Sequence, residues 1–222
     1  MLVAGVDEAG RGCVIGPLVV AGVVMSDEKL SGLAALGVKD SKLLTPQKRE
    51  LFFNEIIALA HDFKVVKVSP FEIDKAVECK IPLHKLNRLE AKTMAKVIEH
   101  LSPNQVYVDA ADIFEERFAT HIRECLPADV NPEIVSQHKA DKLYPIVSAA
   151  SILAKVERDR EIELLKNDLG DFGSGYLHDK KTTSFLVEWL KTNKDYPLCV
   201  RKSWKPVKKA LSERDTVQQK LF

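Results

Sequence analysis

Long hydrophobic runs are missing from this sequence. The longest, Cys13–Met25, has 13 residues and is interrupted by Gly16, Pro17 and Gly22, against roughly 20 apolar residues needed to cross a bilayer as a helix. Cysteine is scarce. Cys13, Cys79, Cys125 and Cys199 are far apart and form no CxxC pair, which excludes a disulfide scaffold and a cysteine zinc site and suits reduced thiols in a cytoplasmic protein. The six histidines are scattered, and there is no P-loop and no Gly-x-Ser-x-Gly elbow. The N-terminus lacks a basic stretch, and Asp7-Glu8 interrupts any apolar core that a signal peptide needs. Net charge is also nearly absent: 33 basic and 32 acidic side chains leave +1, so the total argues neither for nor against a polyanionic partner.

Charge is nevertheless unevenly spread. Residues 191–222 hold nine basic and three acidic side chains, so a basic end follows a net-acidic body. The basic end reads either as a solvated helix or as a grip for a polyanion. With 222 residues, 45% apolar and only 10 Gly and 10 Pro, the chain has material for one full domain with an appendage and gives no case for global disorder.

The pattern begins β-rich. Leu2–Asp7 and the β-branched Val14–Met25 read as strands around a Gly-rich turn, and Phe63–Ser69 as a third. Thr45-Pro46 is a helix start, a hydroxyl N-cap followed by Pro at the first helical position. His84–Leu101 is an amphipathic helix. A strand at Gln105–Asp109, a helix at about 112–125 and a strand at Glu133–Ser136 complete two β-α-β alternations. From Asp141 a helical stretch is expected to run to Leu169, apolar first and charged later. Gly170–Tyr176 must be a loop, because three glycines in six residues do not sit in a stable helix. Short helices follow at Thr182–Lys191 and about Trp204–Leu211, and the last ten residues are expected to be mobile.

The chemistry concentrates at strand ends. Asp7-Glu8-Ala-Gly10-Arg11-Gly12 sets two adjacent acids at the end of an apolar strand, where carboxylates are costly unless paired, hydrated or metal-bound. Taken alone it reads rather as a polar strand end with a tight turn. Adjacent strand residues point to opposite faces, so both acids serve one site only if the strand ends or twists at Glu8. Asp109 ends a second apolar strand; if the two strands are neighbours, its carboxylate reaches the same edge. Such oxygen clusters suit Mg²⁺ or Mn²⁺. Asp141 is a third candidate, with an N-cap as its other reading. Gly10-x-Gly12-x-x-x-Gly16 is no dinucleotide fingerprint: the spacing is one too long, and a strand-like segment follows rather than a helix.

Asp7–Gly12, Gly37-Val-Lys-Asp-Ser-Lys42, Tyr107-Val-Asp109, His138-Lys-Ala-Asp141, Ala149–Lys155 and Gly173-Ser-Gly-Tyr176 together resemble, in order and approximate spacing, the type 2 ribonuclease H family, ribonuclease HII, in its archaeal branch. The resemblance covers about residues 1–205. It implies an α/β fold, a ribonuclease H-like mixed sheet flanked by helices, with residues 1–190 as the catalytic domain and residues 191–222 as a basic helical region and tail. It implies an endonuclease that cuts the RNA strand of RNA/DNA hybrids and at ribonucleotides embedded in duplex DNA, leaving 3′-hydroxyl and 5′-phosphate ends, with a role in primer removal and ribonucleotide excision. Asp7, Glu8, Asp109 and Asp141 fall on the family's four acids, which hold two metal ions, Mg²⁺ or Mn²⁺. Gly10, Arg11 and Gly12 match the turn whose backbone contacts the ribose 2′-hydroxyl, and Tyr176 the tyrosine that packs on the neighbouring sugar.

Lys39, Ser41, Lys42, Arg49 and Lys155 lie in or beside matching motifs as candidate phosphate contacts, and Lys202, Lys205, Lys208 and Lys209 are the candidate basic C-terminal contacts. The tail Gln218-Gln-Lys-Leu-Phe222 resembles in part a sliding-clamp-binding peptide, with one terminal aromatic where that peptide has two. A monomer with no membrane association is expected. Another nuclease of the same fold and a non-catalytic hybrid-binding module are the alternatives.

Overall fold

A computed structural model of the chain describes residues 1–38, 44–80 and 85–219, the side chains of 215–219 excepted. In chain order the elements are β1 (Leu2–Ala9), β2 (Leu18–Ser26), a 3₁₀ turn, α1 (Leu30–Ala35), α2 (Pro46–Leu59), β3 (Asp62–Val68), α3 (Pro70–Glu78), α4 (Lys85–Leu101), β4 (Gln105–Asp109), α5 (Glu115–Arg123), β5 (Glu133–Gln137), α6 (Ala140–Leu143), α7 (Pro145–Leu169), α8 (Lys180–Thr192) and α9 (Lys205–Gln219). The expected mixed sheet flanked by helices is present.

The strands form one sheet in the order β3-β2-β1-β4-β5. β1–β2 and β2–β3 are antiparallel; β1–β4 and β4–β5 are parallel. The β1–β4 register pairs Val6 with Val108, so Asp7 and Asp109 each follow the last paired residue. β2 reads Leu-Val-Val-Ala-Gly-Val-Val-Met and is buried on both faces, which explains why it is continuously apolar rather than alternating. The period-2 alternation of β1 divides two cores. Val3 and Ala9 join the layer under α7 with Ile152, Leu153 and Val156; Ala4 and Val6 join the layer under α4 and α5 with Met94, Ile98 and Phe118. Each fully buried Leu, Ile, Val or Phe contributes on the order of 1.5–3 kcal/mol. Gly5 lets α7 approach, since a Cβ there would lie 2.3 Å from the Ile146 carbonyl oxygen.

A third apolar cluster joins Val14, Ile15, Ile162 and Phe172 to Leu186, Tyr196, Val200 and Val207. It ties α8 and α9 to the second half of α7 and to the loop before β2. No described helix is long and apolar enough to cross a membrane.

Four local readings change. The strand expected from Val14 starts at Leu18, because Gly16 takes φ 95° ahead of Pro17. The helix expected from Asp141 to Leu169 is two helices: Pro145 opens α7, and the preceding Tyr144 is extended at φ −116°, ψ 114°, as a residue before proline prefers. Ser69-Pro-Phe-Glu72 forms a capping box that starts the unexpected α3. The last helix continues to Gln219 instead of ending near Leu211.

Candidate active site

β1 and β4 end side by side, and the residues that end them decide the site. By strand parity Asp7 and Asp109 share the face covered by α7. Asp141 is carried there by α6, the short helix between β5 and α7, and the Ala140 amide donates to Asp109 Oδ1 at 3.3 Å. One carboxylate oxygen from each of Asp7, Asp109 and Asp141 lies within 4.8 Å of the others. Asp7 and Asp141 are buried and Asp109 half-buried.

Three carboxylates at this separation repel one another. Burial, reinforced by the Asp109 charge, raises Asp7 from 3.8 to about 6; Lys155, a hydrogen bond from Ser151 and the Glu8 amide, which donates to Asp7 Oδ1 at 2.7 Å, oppose the rise. Lys155 and Ser151 are one turn apart on α7 and hydrogen-bond each other.

Glu8 stands apart. β1 does not end at Glu8 but runs to Ala9, so Glu8 points to the α4 face, where burial, then Asp7, Glu90 and Asp109, push its carboxyl well up. It nonetheless lines the same cleft of about 750 Å³ as the three aspartates. Glu90 on α4 is wholly buried and lies 2.8 Å from Arg11 Nε; burial raises it to about 7 against the pull of Arg11.

The cleft also carries basic side chains. Lys155, Arg158 and Arg49 line it. Arg49 is held by Asp159 and by the Leu44 carbonyl, both at 2.8 Å. Arg158 donates to the Ser174 carbonyl and stacks its guanidinium 4.8 Å from the Tyr176 ring centroid, while His178 stacks on the same ring at 5.4 Å. Tyr176 is presented by the Gly173–Gly175 loop, which is pinned to the loop before β2: the Gly175 carbonyl accepts from the amides of Val14 and Ile15 at 2.7 and 3.1 Å. Gly175 has φ 80°, and a Cβ there would lie 2.7 Å from the Ile15 carbonyl oxygen.

Gly10, at φ 81°, turns the chain out of β1, and Gly12 is exposed. Lys39, Ser41 and Lys42 lie outside the described residues. Lys202 pairs with Asp195, Lys208 with Glu78 at 2.8 Å and Lys209 with Glu213 at 3.7 Å, and Lys205 is exposed; none of these four lines the acidic cleft. Arg201, counted by its sequence position with the basic end, is fully buried beneath the Gly10–Gly12 turn. Sequence reasoning missed Arg158, His178, Glu90 and this role of Arg201. For Arg158 a signal exists: it follows Lys155 by three residues, on the same helix face.

Comparison with known proteins agrees with this architecture. The family model described as Ribonuclease HII matches residues 4–207. Ribonuclease HII of Pyrococcus abyssi is 48% identical over 211 residues, covering 94% of this chain and 91% of that protein. The crystal structure of ribonuclease H2 from Pyrococcus horikoshii superposes with a TM-score of 0.88 at 44% identity, covering 97% of this chain and 99% of that one. RNase HII of Archaeoglobus fulgidus, solved in complex with PCNA, gives a TM-score of 0.83 at 45% identity, covering 92% of this chain and 96% of that one.

Proposed function

Since the chain belongs to the ribonuclease HII family and is a ribonuclease H, we propose that its acidic cleft hydrolyses RNA/DNA hybrids and duplex DNA at embedded ribonucleotides, leaving 3′-hydroxyl and 5′-phosphate ends. The observation that carries the assignment is the meeting of Asp7, Asp109 and Asp141 within 4.8 Å from three separate segments of chain. Glu8, which lines the same cleft, completes the acid set.

The donor chemistry fits a hard divalent cation. The site offers carboxylate oxygens only, two of the three aspartates are buried, and burial, reinforced by the Asp109 charge, pushes Asp7 up to about 6, a cost that a bound cation would offset. Asp7, Glu8, Asp109 and Asp141 would hold two such ions, Mg²⁺ or Mn²⁺. When bound, they supply Lewis acidity to the attacking water and to the leaving 3′-oxygen.

The remaining work falls to the chain. Lys155 and Ser151 orient the Asp7 carboxylate from α7. Lys155, Arg158 and Arg49 offer positive charge to the phosphates flanking the cut, with Lys39, Ser41 and Lys42 extending that set. Phosphate contacts position the substrate without reading sequence. The Gly10–Gly12 backbone reads the ribose 2′-hydroxyl, the group that separates RNA from DNA. Tyr176, braced by Arg158 and His178, packs on the adjoining sugar.

Residues 1–190 supply catalysis and residues 191–222 the grip, through Lys202, Lys205, Lys208 and Lys209. The enzyme acts in the cytoplasm as a monomer, in primer removal and ribonucleotide excision. A sliding clamp is a partner through the tail Gln218–Phe222; the PCNA complex of the Archaeoglobus relative supports this. The test is a DNA duplex with one ribonucleotide: metal-dependent cutting there, with an all-DNA duplex spared, is expected. Cutting of both duplexes, or of neither, refutes the reading.

A further inference from the structure

The turn at Gly10–Gly12 is held from beneath by one side chain from the far end of the sequence. The Arg201 guanidinium donates to the carbonyl oxygens of Gly10 at 2.6 Å, Arg11 at 2.7 Å and Gly16 at 3.1 and 3.2 Å, and lies 2.9 Å from Cys13 Sγ. Arg201 is fully buried, and its guanidinium stacks on Trp204 at 5.0 Å. Its own backbone is fixed too. The Arg201 amide donates to the Val14 carbonyl at 2.8 Å, and Asp74 on α3 accepts from the amides of Lys202 and Ser203 at 2.8 and 2.9 Å. A charge this deeply buried needs such acceptors, and a lysine cannot present the same planar fork.

This arrangement fixes the direction of the amides. In a planar trans peptide the N–H points opposite to the preceding carbonyl. With the Gly10 and Arg11 carbonyls drawn down onto Arg201, the amides of Arg11 and Gly12 point outward, and neither has an acceptor among the described residues. In addition, α4 holds the Arg11 side chain through Glu90 and through Asn87 Oδ1, at 2.8 Å each.

We propose that Arg201 and Glu90 are positioning residues for ribose recognition: one holds the backbone carbonyls of the turn and the other its Arg11 side chain, so that two outward amides are preset for the 2′-hydroxyl. The inference rests on the reading of Gly10–Gly12 given above and extends it to residues that touch no substrate. It predicts that selectivity for a ribonucleotide depends on a buried side chain some 190 positions away in sequence.

The experiment measures binding in an Asp7→Asn background, which keeps the substrate intact, with Mg²⁺ present. Affinities are compared for a DNA duplex carrying one ribonucleotide and for the same duplex without it. Adding Arg201→Lys is expected to lower the ratio of the two affinities at least fivefold while binding of the all-DNA duplex stays within twofold. A merely structural role would weaken both duplexes together. If Arg201→Lys does not fold, as judged by circular dichroism, Glu90→Gln, which keeps shape and removes the charge facing Arg11, is expected to show the same selective loss. A folded Arg201→Lys protein with an unchanged ratio overturns the inference, as does an unchanged ratio in Glu90→Gln where Arg201→Lys does not fold. Equal binding of both duplexes by the Asp7→Asn parent instead overturns the 2′-hydroxyl reading itself, and the inference with it.

Discussion

Replacing Asp7 by Asn should stabilise the metal-free protein at neutral pH while removing its activity. Asp7 rises from 3.8 to about 6 in the fold, chiefly through burial. At about 1.4 kcal/mol per pH unit, keeping it ionised costs about 3 kcal/mol. The folded pKa lies above the unfolded one, so the native state binds the extra proton between them. Stability of the metal-free wild type therefore falls as pH rises from about 4 to about 6, and the full penalty is present above that range. Asn mimics the protonated acid and carries no such penalty. The variant should exceed the wild type by about 3 kcal/mol at pH 8, or roughly 6–12 °C in melting temperature for a chain of this size, and the gap should close towards pH 4. Adding Mg²⁺ should reverse the order, because ligand binding stabilises only the protein that binds it. Urea unfolding in EDTA and in Mg²⁺ across this pH range is the assay. An Asp7→Asn protein no more stable than wild type at pH 8 in EDTA would refute the reasoning.

Gly175→Ala should destabilise the fold by at least 1–2 kcal/mol, since a non-glycine residue in the left-handed region costs roughly that much before the contact with the Ile15 carbonyl is added; urea unfolding within 0.5 kcal/mol of wild type would contradict this. Neutralising Lys202, Lys205, Lys208 and Lys209 together should flatten the dependence of log affinity for an RNA/DNA hybrid on log salt, each lost phosphate contact removing about 0.9 from the slope. Three of the four already hold carboxylates, so the expected drop is nearer 1–2 than 4, and an unchanged slope returns the segment to a solvated face. Deleting the last six residues should abolish capture by an immobilised sliding clamp with cleavage intact; equal capture would show that the tail is not the contact.

The sheet edge was legible because its residues obey local rules. Apolar strands ending in Asp7 and Asp109 announce a costly charge at a fixed place, and Thr45-Pro46 caps α2 as its residue types require. What the pattern could not supply was which strands are neighbours, and with it the meeting of Asp7 and Asp109. Glu8 shows the limit of a local rule: the alternation that sends it away from Asp7 holds, yet at a strand end both faces open into one cleft. Arg201 and Glu90 were illegible for a different reason. One sits in a basic segment and the other on an amphipathic helix, where charge ordinarily means solvent, and only tertiary packing buries them. The near-neutral total conceals this as well, because part of the basic end is spent inside the protein rather than on its surface.

The most direct test of the central assignment is the cleavage product from a DNA duplex carrying a single ribonucleotide, incubated with Mg²⁺ or Mn²⁺. The wild-type protein should cut once at the ribonucleotide to leave a 3′-hydroxyl and a 5′-phosphate, require the metal, and lose nearly all cleavage on Asp7→Asn substitution. Substantial cutting by that variant, or cutting in EDTA, would contradict the account.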